Sequence, residues 1–324
     1  MRTSRKVRKV LVAIKELRAT HLLDKAAHVA LARSAELVIF HDLATPVFID
    51  GLAPGGGLRA ALRSGRQSAL ARLEVLAAPW RARGLTVSTC AEWDFPPHEA
   101  IVREALRADA DLIVVQSRGR HHFPALLGYT DWSLLRDSPI PVLLVKNLRP
   151  YRRPRVLAAV DPAHRYSKPS DLDSLILREA EGLARSFGTA PHVVHSYLRP
   201  PALALQDVAA VVIETIDKQV RGDARKAFAE LLDGTSVAPS RRHLVEANPV
   251  DAIIRTQRKI GAAILVMGAV SRRGLKRVFI GNTAERLLDE LTCDLLVVKP
   301  AKFATGIARS RRGANLVTVS AFAA

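Results

Sequence analysis

The residues with the clearest chemistry lie between positions 264 and 300. An apolar run, Ile264-Leu265-Val266-Met267, ends at Gly268. A basic loop follows, holding Ser271, Arg272, Arg273, Gly274, Lys276 and Arg277. Gly281, Asn282 and Thr283 then lead into Ala284-Glu285-Arg286-Leu287-Leu288, which has helical spacing. Leu295-Leu296-Val297-Val298-Lys299 closes the segment. The order reads as strand, glycine-bearing loop, helix, strand. Glycines let backbone N–H groups approach an anion, and a helix N-terminus favours negative charge. In a parallel α/β sheet, ligands sit beyond the carboxyl ends of the strands. The chemistry on offer is the holding of a phosphate or another anion, with Arg272, Arg273, Lys276 and Arg277 supplying cation around it.

Other reactive groups form weaker patterns. His121-His122 stands beside Arg118 and Arg120, but no Cys or carboxylate run lies close enough to complete a metal site. Asp161 is followed by Ser167, Ser170 and Asp171 in a polar stretch. His41, His192 and His195 fall near the ends of apolar runs and read as strand-end or core histidines. No Gly-x-Ser-x-Gly elbow and no His-Glu-x-x-His pair occurs, so rapid hydrolytic turnover is not supported. Slow ATP hydrolysis is the minor alternative.

The elements that must position these residues recur. Lys9-Val10-Leu11-Val12-Ala13-Ile14-Lys15 is answered by Arg155-Val156-Leu157-Ala158-Ala159-Val160-Asp161. Pro97, Ala100 and Ile101 are answered by Pro249, Ala252 and Ile253. Asp111-Leu112-Ile113-Val114-Val115-Gln116 is answered by Ala263-Ile264-Leu265-Val266-Met267-Gly268. Gly128-Tyr129-Thr130 is answered by Gly281-Asn282-Thr283, and Val142-Leu143-Leu144-Val145-Lys146 by Leu295-Leu296-Val297-Val298-Lys299. One α/β unit of about 145 residues is thus duplicated in tandem. The expected domains are 5–147 and 154–300, joined by a Pro-bearing linker. Strands alternating with helices imply right-handed crossovers. Each half is predicted to be a doubly wound layer with a five-stranded parallel sheet flanked by helices. The short last strand of each half, 142–146 and 294–299, would sit at an edge and need a partner. The two halves are expected to pair there as an internal pseudo-dimer. The span 45–58, with Gly55-Gly56-Gly57, reads as a loop, because no Lys-Ser/Thr follows at P-loop spacing.

Composition bounds the rest. The chain has 324 residues, 48% hydrophobic and 25% charged, which is globular. No apolar run is long enough to span a membrane. The basic N-terminus runs straight into a strand, so no signal peptide is expected and the cytoplasm is the default location. Two cysteines, Cys90 and Cys293, make no disulfide framework and read as buried thiols. Lys and Arg number 49 against 31 Asp and Glu, a formal charge of +18 that draws polyanions. Residues 301–324 carry Lys302, Arg309, Arg311 and Arg312 and no acid, and are expected to be a disordered basic tail.

Several of these segments resemble the universal stress proteins. The resemblance rests on Val156-Leu157-Ala158-Ala159-Val160-Asp161, on Asn248-Pro249-Val250-Asp251-Ala252-Ile253-Ile254, and on Met267-Gly268 with Gly274 and Gly281-Asn282-Thr283-Ala284-Glu285. In the first half it rests on Leu112-Ile113-Val114-Val115-Gln116 and Asp131-Trp132-Ser133-Leu134-Leu135-Arg136. It covers roughly residues 5 to 300, and the duplicated order resembles the tandem members of that family. It implies an adenine nucleotide alpha hydrolase-like fold and a cytoplasmic stress-protective role, with some members binding ATP and others not.

The resemblance also implies a site. ATP-binding members carry Gly-x2-Gly-x9-Gly-Ser/Thr, and the spacing survives here as Gly268, Ser271, Gly281 and Asn282. Ser271 and Asn282 depart from the pattern, although Thr283 follows. Asp161 would contact the adenine or ribose side of a nucleotide. The first half departs further, with Gln116 at the first glycine, Tyr129 after Gly128 and Lys15 in place of Asp161. ATP or another nucleotide is therefore the cofactor expected in the second domain only. The alternative is a stress protein without nucleotide. It would act through its basic surface or inter-domain groove on a protein, nucleic acid or lipid. A homodimer is a further possible assembly.

Overall fold

The structure, a computed structural model, describes residues 8–44, 46–50, 55–117, 130–147, 149–162, 171–199, 210–269, 286–287, 290–300 and 303–319. The chain divides into two compact units. The first holds residues 1–150 together with 304–324, and the second holds 151–303.

In the first unit the chain runs β1 (Lys9–Ala13), α1 (His21–Arg33), β2 (Glu36–Asp42), β3 (Val47–Asp50), α2 (Gly55–Arg81) and β4 (Val87–Glu92). It continues with α3 (Pro97–Arg107), β5 (Leu112–Gln116), α4 (Thr130–Asp137) and β6 (Val142–Val145). Five strands form a parallel ladder in the order β4-β2-β1-β5-β6. β1 lies in the middle, where Val10, Leu11 and Val12 are fully buried. Strands covered on both faces read as continuous apolar runs, which is why this one was legible. The second unit runs β7 (Val156–Ala159), α5 (Leu172–Ser186), β8 (His192–Tyr197), α6 (Ala210–Leu231), β9 (Arg242–Glu246), α7 (Pro249–Ile260), β10 (Ile264–Gly268) and β11 (Asp294–Val298). Its ladder is β11-β10-β7-β8-β9, again parallel.

Local chemistry sets the helix ends. Thr20 caps α1 by accepting from the Leu23 N–H at 3.3 Å, and Ser34 ends the helix in the left-handed region. Asn248 caps α7, accepting from the Asp251 N–H at 3.0 Å. Pro249 occupies the first turn and Gly261, at φ +61°, closes the helix.

Two expectations need correction. The span 45–58 is not a loop throughout, since it holds β3 and the first turn of α2. Glycine lowers helix propensity, but Ala69, Leu73, Ala77 and Trp80 put a buried stripe on α2, and that packing outweighs the glycine start. The tail is not unstructured over 303–319. Residues Leu316–Val319 form β12, parallel to β3 with Leu316 opposite Val47 and Val319 opposite Asp50. No helix among the described residues is long and apolar enough to cross a membrane. Cys90 and Cys293 are both buried thiols.

Candidate functional site

In the second unit the chain passes from β7 outward to β8 and β9, then returns to β10 on the other side of β7. The strand order reverses between β7 and β10. A crevice opens outside the carboxyl ends of strands at such a reversal. Asp161 lies two residues beyond the end of β7, and Gly268 ends β10 beside it in the ladder. The resemblance assigns both residues to one loop site; Asp161 follows β7 and Gly268 ends β10, and those two strands are neighbours. Met267 is buried in β10, one residue back.

The backbone N–H of Asp161 donates to Asp173 Oδ1 at 3.1 Å, which ties the strand end to the first turn of α5. Its own Oδ2 is buried and has no hydrogen-bond partner among the described residues. A carboxylate oxygen in that state is costly to keep, unless a donor from a ligand meets it. One residue earlier, the Val160 carbonyl accepts from His195 Nδ1 at 3.2 Å. A carbonyl only accepts, so His195 carries its proton on Nδ1. The first unit repeats this contact, since His41 Nδ1 lies 2.9 Å from the Ile14 carbonyl. Burial lowers the pKa of His41, opposed by that bond. Lys15, exposed, follows Ile14 where Asp161 follows Val160. The two units therefore share the scaffold and differ in the charge presented on it.

Gly268 has a packing reason of its own. A Cβ built there would lie 2.6 Å from Leu172 Cδ2 and 2.8 Å from Leu172 Cγ. The first residue of α5 fills the space a side chain would need. Sequence reasoning missed Leu172, Asp173, His41 and His195 as site builders. The matched histidines in the second strand of each repeat were the available signal. Ser271, Arg272, Arg273, Gly274, Lys276, Arg277, Gly281, Asn282 and Thr283 lie outside the described residues, as do His121, His122, Ser167 and Ser170. No group of three potential metal ligands occurs among the described residues.

Comparison with known proteins agrees with this architecture. The universal stress protein family model matches residues 6–146 and again 153–299, so the chain belongs to the universal stress protein family. Within it, the chain is 29% identical over 226 residues to universal stress protein E of Salmonella typhi, covering 69% of this chain and 72% of that one. It is 30% identical over 227 residues to universal stress protein E of Photorhabdus laumondii, covering 68% and 71%. A functionally unknown protein from Pseudomonas aeruginosa PAO1 superposes with a TM-score of 0.67 at 28% identity, covering 91% of this chain and 93% of that one. A universal stress protein from Archaeoglobus fulgidus shares the fold at a TM-score of 0.58 and 19% identity, covering 90% and 98%.

Proposed function

We propose that this tandem universal stress protein works as a cytoplasmic stress-response binding protein, holding a nucleotide or other phosphate ligand at the carboxyl end of its second sheet. The observation that carries the reading is the buried, unpartnered Oδ2 of Asp161 at the strand reversal. A ribose hydroxyl or an adenine amino group is a donor of the kind that oxygen lacks. The basic stretch from Arg272 to Arg277 and the residues Gly281, Asn282 and Thr283 supply the phosphate side of the reading. Residues Gly268, Ser271 and Gly274 belong to the same proposed loop. Isothermal titration with ATP tests it. The expected result is binding by the full chain that Asp161→Asn weakens at least ten-fold. No heat at millimolar ATP from folded protein sinks the reading.

A second reading draws on Gly268. Its missing side chain is explained by Leu172 alone, so the glycine needs no phosphate to account for it. On this reading the nucleotide site is vestigial, and the +18 surface meets a polyanion. Salt-sensitive retention on heparin, with no nucleotide released on denaturation, supports it. Retention that ignores salt counts against it.

A further inference from the structure

A cavity lies in the second unit, between α6 and the edge strand β9, with a volume of about 240 Å³. Its floor is apolar: Tyr197, Phe228 and Leu232 line it and are buried. Its rim carries Arg221, Arg225 and Arg242. Arg221 and Arg225 are one turn apart, so α6 presents both from one face. Arg242 Nε donates to the Val237 carbonyl at 2.9 Å, which fixes the root of its guanidinium. Among the described residues, none of the three has a carboxylate in salt-bridge range. Two acids lie nearby: Glu246 is engaged by Arg199 at 2.7 Å and by the Tyr197 hydroxyl at 3.2 Å, and Asp217, one turn before Arg221 on α6, is engaged by Arg199 at 3.6 Å.

The corresponding elements of the first unit, α2 and β4, carry different contacts. Between α2 and the end of β4, Trp93 Nε1 donates to the Leu62 carbonyl at 2.9 Å, and its ring lies against Gly65. Arg66 there pairs with Glu92 at 2.8 Å, and Arg81 pairs with Glu74. There an indole packs on the helix, and the arginines of α2 named here have carboxylate partners. Around the groove of the second unit, Arg221, Arg225 and Arg242 have no carboxylate in salt-bridge range among the described residues.

We propose that this groove binds a small flat anion, one ring system seated on Tyr197 and Phe228 with its phosphate or carboxylate held by Arg221, Arg225 and Arg242. The volume limits the body to a small ring system, since clefts for drug-sized ligands start near 300 Å³. Guanidinium groups suit planar, two-oxygen anions. The aromatic floor suits a π face. The site does not involve Asp161 or the loop after Gly268, and stands whether or not nucleotide binds there.

The test is isothermal titration of the full chain at low salt with 1-naphthyl phosphate, alongside 1-naphthoate, 1-naphthol and inorganic phosphate. Either naphthyl anion is expected to bind at least ten-fold tighter than naphthol or phosphate alone. Which of the two anions binds better identifies the acid group. Arg221→Gln/Arg225→Gln is expected to weaken binding at least ten-fold. Ala229→Trp, which fills the groove and keeps the arginines, is expected to do the same, with circular dichroism confirming that both variants fold. Wild-type affinity in either variant overturns the proposal. So does phosphate binding as tightly as the whole probe, or a loss of binding confined to Asp161→Asn.

Discussion

The backbone N–H of Arg312 donates to Asp94 Oδ1 at 2.9 Å, across 218 residues of chain. The same oxygen accepts from Arg103 Nη2 at 2.9 Å, and Asp94 Oδ2 accepts from Arg103 Nε at 2.7 Å. The C-terminal segment thus docks onto an ion pair at the start of α3. Around it, Arg311 reaches Glu92 at 3.1 Å and Glu104 at 3.0 Å, while Arg312 reaches Glu99 at 2.8 Å. These guanidinium groups meet carboxylates of their own chain, which removes them from the cation available to a polyanion.

Arg311 and Arg312 are partly exposed, so each pair contributes only about 0.2–1 kcal/mol. We expect Arg311→Gln/Arg312→Gln to lower the melting temperature by a few degrees at most. It should nonetheless speed hydrogen exchange in Leu316–Val319, because a two-stranded ladder is marginal without anchoring side chains. Exchange at those amides unchanged from wild type would show that β12 holds itself.

Arg103 is a different case, because it and Asp94 each keep only 2% of their side-chain surface exposed. Removing one partner leaves the other charge buried and unpaired, which costs about 3–5 kcal/mol. Arg103→Met should therefore destabilise the first unit by that order in urea unfolding. A loss below about 1 kcal/mol would mean the carboxylate finds another partner.

In the second unit Arg241 Nη1 lies 3.3 Å from His192 Nε2, and His192 Nδ1 lies 3.0 Å from His243 Nε2. A guanidinium only donates, so His192 accepts at Nε2 and donates from Nδ1 to His243. Both rings must be neutral at those nitrogens. Burial, then the charges of His243, Arg241 and Arg155, push His192 from 6.5 down to about 4. Burial and Lys259 lower His243. The folded values lie below the unfolded ones. The stability the pair contributes is therefore complete above about 6.5 and is lost as pH falls toward about 4. Thermal melts from pH 7 to 4.5 should fall more steeply for wild type than for His192→Asn/His243→Gln. Parallel slopes would remove the pair as the cause.

The sequence was most informative where one local pattern decided the structure. Val10-Leu11-Val12 and Leu295-Leu296-Val297 are buried strands because nothing else suits such runs in an α/β unit. The alternation of strands and helices carried the parallel sheet of each half, while the strand order, with its reversal between β7 and β10, is a finding of the structure. What stayed hidden depended on partners distant in sequence. Leu316-Val317-Thr318-Val319 is a β-prone run, yet a strand needs a neighbour, and its neighbour β3 sits in the stretch before Gly55-Gly56-Gly57 that reads as a loop. The His192–His243 contact depends on the register of β8 against β9, where Val194 faces His243. No spacing in the sequence states that register. The groove beside α6 gathers Tyr197, Arg221, Arg225 and Arg242 from three separate elements, which no spacing in the sequence brings together.

Gly268 separates the packing role of the loop's first glycine from any ligand role. An added Cβ would lie 2.6 Å from Leu172 Cδ2, well inside contact distance, so the leucine or the start of α5 must move. Overpacking of this kind costs about 1–3 kcal/mol. Gly268→Ala should destabilise the second unit by that amount, and trimming the neighbour in Gly268→Ala/Leu172→Ala should recover part of it, giving a favourable coupling in a double-mutant cycle. The stability cycle reports on packing alone, while ATP titration of the same variants reports on the loop. If the double variant regains coupling energy and binds ATP like wild type, Gly268 is there for Leu172. If stability recovers and binding does not, the glycine also serves the ligand. Additive losses with no coupling would show that α5 shifts freely and that the close approach constrains neither residue.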